Sequence, residues 1–156
     1  MRKNDDLVAA QGSEGKGEAV DELERFSLGF VNHINYYVRD VNVVLPLYDA
    51  LFGALGLTRA PVRSAAATYA RWSSDGVRID WFNVYEDASS QVSNARVAFR
   101  ARSPAHVDEV RAHIRDHAIN IEGPEAIVAY DPSYYGVSFE DALGNKFEVC
   151  YCTLRR

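Results

Sequence analysis

The sequence predicts an α+β fold of two βαβββ modules whose curved sheets surround a shared cavity. Two observations predict this fold. The same order of strand, helix and strand patterns occurs twice, over 28–85 and over 95–153. Each copy also begins and ends with a strand in which a polar residue stands among apolar ones. Two repeats of this kind can form one pocket between them, and the function is expected there.

The composition is typical of a soluble globular protein of 156 residues, with 47% hydrophobic and 25% charged residues. No apolar run is long enough to cross a bilayer, so no membrane partner is expected. The amino terminus lacks the pattern of a secretory signal, which predicts a cytoplasmic protein. The net charge of −5 and the lack of a Lys/Arg patch argue against nucleic acid as a partner.

The amino-terminal segment differs in composition from the rest of the chain. It is rich in Gly, Glu, Asp and Lys and has no sustained periodicity. We therefore predict a flexible tail over 1–27, followed by a single domain over 28–156 that consists of module 28–85 and module 95–153. The small, polar stretch 86–94 has the composition of a connection between the modules.

The elements of the first module follow from periodicity and turn signals. Alternating apolar and polar residues predict strands over four segments, namely 30–38, 57–62, 67–72 and 77–85. Pro46 suits the first turn of a helix, and apolar residues follow at helical spacing until Gly56. The pair Asp75-Gly76 predicts a hairpin turn with positive φ before the fourth strand.

The second module repeats this order. Strands are predicted over 96–101, near Asn120 and Ile127, and over 134–140 and 146–152. Ser103 is the predicted cap of the helix, whose apolar residues Val107, Val110 and Ile114 share one face. Cys150 lies two positions before Cys152 in the last strand, a spacing at which no structural disulfide is expected.

Period-two alternation assigns the strand residues to two faces of each sheet. We assign the more apolar set to the face that the helix covers, so that in the fourth strand Ile79 and Trp81 are predicted on that face. The polar residues assigned to the opposite, uncovered faces are His33, Asp80, Arg96 and Glu148. Such groups are costly when dry and unpaired, so they bind a metal, bind one another or face water.

Three stretches of the sequence match motifs of a known family. They are HINYYVRD followed by LYDALFGALGL, RVAFRARSPAHVDEV in the second module, and YYGVSFEDALGNKFEV near the carboxyl end. Together, over about residues 30–151, they resemble the vicinal oxygen chelate superfamily, which includes glyoxalases, bleomycin resistance proteins and extradiol dioxygenases. The last stretch is the most specific, although Ala142-Leu143 replaces the usual Pro-Asp pair.

The resemblance implies a divalent metal (Mn, Fe, Ni, Zn or Mg) between the modules, held by the first and last strands of each. His33 matches the first ligand, Asp80 lies near the second, and Glu148 matches the last. The remaining ligand is usually His, and Arg96 occupies that position. Because Arg has no available lone pair, a complete four-residue site is excluded.

Two hypotheses use these residues. In the first, His33, Asp80 and Glu148 bind a metal that acts as a Lewis acid in a lyase, isomerase or dioxygenase reaction on an oxygen-bearing metabolite. In the second, which we favour, Arg96 replaces the metal, pairing with Glu148 and Asp80 or binding an anionic group of a ligand. In an enzyme of either kind, Glu148 and His33 are the expected catalytic residues.

The remaining predictions concern the ligand and the assembly. Asn35 and Tyr37 share a face with His33, and Tyr135 occupies a position where relatives place pocket aromatics, so these residues and Arg96 are predicted to bind the substrate. The expected partner is a small molecule. A homodimer is expected because the resemblance includes many dimers and small modules expose their sheet edges. The alternative function is non-catalytic sequestration of a drug or metabolite, as in bleomycin resistance proteins.

Overall fold

The strands and helices fall into two successive groups of the same order. The computed structural model describes residues 31–61, 66–127, 129 and 131–153. The tail predicted at 1–27 lies outside these residues. In the part of the chain that is described, no helix is long and apolar enough to cross a membrane.

The first group, module 1, is a four-stranded sheet with one helix packed against it. Its elements are β1 (His33–Val38), α1 (Val41–Ala54), β2 (Thr58–Arg59), β3 (Ala66–Trp72) and β4 (Arg78–Glu86). The strand order is β1-β4-β3-β2, in which β1 and β4 are parallel and the other neighbours are antiparallel. Gly76 has a φ of +81° in the turn before β4, as the Asp75-Gly76 pair predicts.

The second group, module 2, has the same architecture. Its elements are β5 (Arg96–Arg100), α2 (Pro104–Ile114), β6 (Ile119–Ala126), β7 (Tyr135–Glu140) and β8 (Lys146–Tyr151). The strand order β5-β8-β7-β6 repeats that of module 1, with β5 parallel to β8. Ser103 caps α2, its side chain accepting from the backbone N–H of His106. The predicted α+β fold of two βαβββ modules is confirmed.

Helix α1 begins earlier than the sequence predicts. Asp40 is its N-cap, and the side chain accepts a 2.9 Å hydrogen bond from the backbone N–H of Asn42. Pro46, expected in the first turn, lies inside the helix, where its missing N–H removes one helical hydrogen bond. The prediction was wrong because the helix gains an additional capped turn, in which Val41 and Val44 are buried in the core.

Strand β6 also differs from expectation. The two short strands predicted near Asn120 and Ile127 are replaced by one strand, Ile119–Ala126, whose pairing with β7 shifts register between Ile119 and Glu122 and again between Glu122 and Glu125. These irregularities break the period-two pattern, so the sequence alone suggests two strands.

One hydrophobic core is shared by both modules. It contains side chains from both helices and from the helix-covered face of each sheet. The ring centroid of Phe99 in β5 lies 5.4 Å from that of Phe52 in α1 and 5.9 Å from that of Phe82 in β4. The rings of Tyr36 and Phe147 are 5.7 Å apart. The modules therefore pack with their helix-covered faces towards each other.

The opposite faces, the uncovered faces, consequently lie on the outer sides of this core. Exposed side chains alternate with buried or half-buried ones along β1 and β5, as predicted. The exposed positions of these two strands are His33, Asn35, Tyr37, Arg96, Ala98 and Arg100. Because both helix-covered faces point into the same core, the two uncovered faces of one chain do not face each other.

A buried carboxylate joins the two modules. Asp141, in the loop between β7 and β8, has no exposed surface. Its Oδ2 accepts hydrogen bonds from the Tyr48 hydroxyl of α1 and from Asn145 Nδ2, both 2.8 Å long. Its Oδ1 accepts from the backbone N–H groups of Leu143 and Asn145, both at 2.9 Å. Full hydrogen bonding of this kind makes the burial of a carboxylate tolerable.

Replacing Tyr48 by Phe should destabilise the fold. The variant removes one of the four hydrogen bonds to Asp141 without opening a large cavity, so we expect the free energy of unfolding to fall by about 2 kcal/mol. Urea unfolding followed by circular dichroism measures it. The control is Tyr37→Phe, at a side chain that is 53% exposed, for which we expect a change below about 0.5 kcal/mol. Equal effects of the two variants would contradict the role given to Asp141.

Buried tyrosines should make the fold sensitive to alkaline pH. Burial and the nearby Asp141 raise the pKa of Tyr36 from 10.0 to about 12, and the same causes raise the pKa of Tyr48 further. The unfolded chain therefore loses these phenolic protons at a lower pH than the folded chain, so the stability that the two tyrosines contribute is constant below pH 10 and is lost above it. Urea unfolding at several pH values checks this. Tyr48→Phe should show a shallower loss, and a loss as steep as in the unmodified protein would contradict the explanation.

Candidate functional site

Three cross-strand pairs form the centre of the uncovered face of module 1. In the parallel register of β1 and β4 they are His33 with Trp81, Asn35 with Asn83, and Tyr37 with Tyr85. The first and third pairs are stacked rings, with centroids 4.8 and 5.4 Å apart. The middle pair is a 2.7 Å hydrogen bond from Asn83 Nδ2 to Asn35 Oδ1. This face therefore presents an amide pair between two aromatic pairs.

The amide pair continues to a third strand. Thr68 of β3 lies opposite Asn83, and its hydroxyl donates a 2.9 Å hydrogen bond to Asn83 Oδ1. Asn83 is only 7% exposed, whereas Asn35 is exposed. A buried amide keeps the orientation in which its polar atoms are hydrogen-bonded. Thr68 and Asn83 therefore hold Asn35 in a fixed orientation.

His33 is fixed by its neighbours. Its ring is parallel to the Trp81 indole within 3°, and its Nδ1 lies 3.0 Å from Asn32 Oδ1. The guanidinium of Arg78 lies over the same indole, 3.9 Å from the ring centroid, in a cation–π contact. When Nδ1 donates to Asn32, Nε2 is the ring nitrogen with an available lone pair.

Arg96 and Glu148 meet on the uncovered face of module 2. Arg96 Nη1 lies 3.4 Å from Glu148 Oε2, and the side chains are 50% and 14% exposed. The predicted pairing of these two residues is present in the structure. In the parallel register of β5 and β8, however, Ala98 is the residue opposite Glu148, and Arg96 lies opposite Lys146. Arg96 therefore reaches Glu148 diagonally.

Cys150 lies next to Glu148 on this face. Burial, followed in size by the nearby Glu148, raises the pKa of the Cys150 thiol to about 11. The thiol is thus protonated and weakly reactive at neutral pH. Gly136 of β7 is paired with Cys150, and a Cβ at Gly136 would lie 3.0 Å from the Tyr134 hydroxyl. The glycine therefore gives the Tyr134 ring room beside Cys150.

Asp80 is not on the uncovered face, and that prediction was wrong. Asp80 shares its side of β4 with Phe82 and Val84, which are buried in the core, and it forms an ion pair with Arg71 of β3. Among the described residues, Asp80 Oδ1 and Arg71 Nε are buried without a hydrogen-bond partner. The sequence misleads because Trp81 resembles a core residue, although it is on the uncovered face.

Tyr135 is also on the other face. It alternates with Val137 and Phe139, which are buried against the helices, and its hydroxyl donates a 2.9 Å hydrogen bond to Asp108 of α2. Tyr135 therefore lies apart from Arg96 and Glu148, which are on the uncovered face of module 2. A tyrosine at the edge of the core can bury its ring and still reach a polar partner, which alternation does not reveal.

The side chains of one chain do not fit a divalent metal. His33 and Glu148 lie on the uncovered faces of different modules. Their cross-strand neighbours, Trp81 and Ala98, offer no ligand atom to such a cation. Across the described ranges, no group of three His, Cys, Asp or Glu side chains is arranged to hold a metal ion.

Several residues of these faces were not predicted from the sequence. Trp81, Asn83, Thr68 and Arg78 all belong to the arrangement on module 1. The signal that could have found Trp81 and Asn83 is the apolar character of Phe82 and Val84, which alternate with them in β4 and belong to the core. Arg78 does not follow from this alternation, because the pairing of β3 and β4 shifts register beside it. Thr68 then follows from the antiparallel register of β3 and β4.

Solved structures share this fold. A glyoxalase/bleomycin resistance protein from Albidiferax ferrireducens T118 is 23% identical, with a TM-score of 0.64 over 80% of this chain and 100% of that chain. The fosfomycin resistance protein FosX from Listeria monocytogenes, complexed with Mn(II) and sulfate, is 17% identical, with a TM-score of 0.57 over 81% and 91% of the two chains. FosX from Mesorhizobium loti is 16% identical, with a TM-score of 0.55 over 81% and 93%. No curated protein matches the sequence.

A family match extends over most of the chain. The sequence pattern of the family matches residues 30–149, which include β1 through most of β8 and thus both uncovered faces. The family expected from the resemblance of the three motifs is confirmed. The chain belongs to the Glyoxalase/Bleomycin resistance protein/Dioxygenase superfamily, whose fold is the vicinal oxygen chelate fold.

Proposed function

We propose that this protein binds a small anionic or carbonyl-bearing compound on its uncovered faces and that it does so without a metal ion. The observation that carries the proposal is the presence of Trp81 beside His33 and of Ala98 beside Glu148. A metal between these strands would have His33 and Glu148 as its protein ligands, fewer than the three or four of a typical site. Arg96 supplies positive charge in this position.

Arg96 is suited to bind the anionic group. A guanidinium has five N–H donors in a planar fork, and the contact with Glu148 involves Nη1 at 3.4 Å. Half of the Arg96 side chain is exposed, so a carboxylate, phosphonate or enolate oxygen can share the guanidinium with Glu148. The side chains of Asn35 and Tyr37, on module 1, provide polar groups for the rest of the ligand.

The pocket requires two copies of the chain. β1 and β5 are edge strands of their sheets, and each is a candidate for pairing with a strand of another chain. Pairing β1 of one copy with β5 of a second would place His33, Asn35 and Tyr37 opposite Arg96 and Glu148. The exposed Tyr37 would then be covered. The same pairing of strands would thus form both the homodimer and the shared cavity.

The bound compound is either sequestered or converted. Sequestration is consistent with the bleomycin resistance proteins that the family includes. The second candidate is proton abstraction next to a carbonyl group, as in an isomerase or lyase, because Glu148 is a mostly buried base beside the Arg96 guanidinium. His33 Nε2 is then the second group able to transfer a proton. Dioxygenase chemistry requires a redox metal, for which this donor set is poorly suited.

Metal analysis tests the first half of the proposal. Protein purified without chelator should contain less than about 0.2 divalent metal ions per chain by elemental mass spectrometry, because His33 and Glu148 alone bind weakly. Mn²⁺, Ni²⁺ and Zn²⁺ should not raise its unfolding temperature. The control is His33→Ala. One metal per chain that is lost in this variant would overturn metal-free binding.

Pyruvate, a small 2-oxo carboxylate, tests the role of Arg96. We expect Arg96→Gln to weaken pyruvate binding about tenfold by calorimetry, because the charged donors are lost. The matched control is Arg59→Gln, which removes the same charge from an exposed ion pair with Asp49 and should leave binding unchanged. Equal affinities of the two variants would contradict the assignment of Arg96.

Mixed dimers and solvent exchange complete this test. Asn35→Asp and Arg96→Gln chains, unfolded together and refolded at equal amounts, should recover about one quarter of the strong sites if each pocket uses both copies. No recovery would show that each chain has its own site.

Incubation of pyruvate in D₂O distinguishes the two candidate functions. Exchange of the methyl protons of pyruvate requires a catalytic base, and it should be lost in Glu148→Gln if Glu148 is that base.

A further inference from the structure

We infer that the uncovered face of module 1 selects a flat, electron-rich aromatic anion, and that the side-chain amide of Asn35 is the hydrogen-bond donor that recognises it. Asn83 and Thr68 are the positioning residues that turn this donor towards the ligand. The inference rests on the proposed function, since it specifies the class of compound that the same pocket binds.

The direction of the hydrogen bonds determines what Asn35 offers. The Thr68 hydroxyl donates to Asn83 Oδ1, and Asn83 Nδ2 donates to Asn35 Oδ1. The carbonyl oxygen of each amide is therefore hydrogen-bonded from the side of β3. Because the oxygen and nitrogen of a planar amide leave the same carbon in different directions, Asn35 Nδ2 is turned away from Asn83. An exposed N–H donor then faces the ligand, and it favours a carbonyl or anionic oxygen.

The neighbouring aromatic pairs favour an electron-rich ring. His33 and Trp81 are stacked on each other, as are Tyr37 and Tyr85, so their ring edges are turned outward. The edge of an aromatic ring is the positive end of its quadrupole and attracts the electron-rich face of another ring. The Arg78 guanidinium over Trp81 adds positive charge beside this surface.

The dimensions of the surface suit more than one ring. Side chains on one face of a strand recur every second residue, so His33 and Tyr37 are separated by about 13 Å along β1. The Asn35 donor lies midway between them. A ligand of two fused rings with an anionic oxygen at one end can therefore contact an aromatic pair and the donor together. Of the groups on this face, a small aliphatic acid can contact only the Asn35 donor.

The experiment uses 2-naphthoate as the probe and the full chain. Each of two comparison compounds keeps one feature of 2-naphthoate. Cyclohexanecarboxylate has the negative charge without the aromatic rings, and 2-naphthylmethylammonium has the aromatic rings with the opposite charge. We expect calorimetry to give an affinity for 2-naphthoate about tenfold higher than for either. Equal affinities for 2-naphthoate and cyclohexanecarboxylate, or undetectable binding of 2-naphthoate at millimolar concentration, would overturn the inference.

Variants assign the donor. Asn35→Asp keeps an oxygen that can accept from Asn83 but removes the outward donor, so 2-naphthoate binding should weaken about tenfold. Asn42→Asp introduces the same charge at an exposed position on α1 and should leave binding unchanged. Thr68→Val should weaken binding about threefold and Thr68→Ser should restore it, because only the hydroxyl matters. An effect of Asn35→Asp no larger than that of Asn42→Asp would overturn the role of Asn35.

The outcomes separate this inference from the function on which it rests. Pyruvate binding that depends on Arg96, together with no preference for 2-naphthoate, would overturn the aromatic specificity and leave the proposed function intact. Binding of 2-naphthoate that depends on Asn35 but not on Arg96 would support the inference and contradict the assignment of Arg96.

Discussion

The orientation of the two modules depends on polar contacts buried within an otherwise apolar core. Asp141 accepts the hydroxyl of Tyr48, which joins the last loop of module 2 to the middle of α1. At the carboxyl end of that helix, His106 Nε2 lies 2.9 Å from the carbonyl oxygen of Ala54. A misplaced α1 would remove one of the four hydrogen bonds of the buried Asp141 carboxylate and would separate the helix-end carbonyl of Ala54 from His106, which is costly. These contacts therefore select one relative orientation among the many that apolar packing alone would permit.

That orientation explains which parts of the structure could be predicted from the sequence. Prediction succeeds for features that neighbouring residues determine. These are the cap at Ser103, the hairpin turn at Gly76 and the alternation of β1 and β5. The chain-order repeat is likewise visible as a pattern. What alternation cannot reveal is which of two faces the rest of the protein covers, because this depends on contacts between distant segments.

The errors at the site have this same cause. Alternation correctly separates Asp80 from Ile79 and Trp81 in β4, but the side that it shares with Phe82 is the helix-covered one. Trp81 is predicted on the helix-covered face because it shares a side with Ile79, although a ring stacked on a strand neighbour tolerates exposure. The contact between Arg96 and Glu148 was predictable, because both residues alternate with strongly apolar neighbours in adjacent strands.

The separation of the core from the uncovered faces also affects how this chain can change over many generations. Nearly all of the deeply buried apolar side chains lie between the helix-covered faces, and residues such as Asn35 and Arg96 contribute little to that burial. Substitutions at the exposed positions of β1 and β5 should consequently cost little folding free energy. New ligand specificities can therefore arise on this scaffold without compensating mutations in the core.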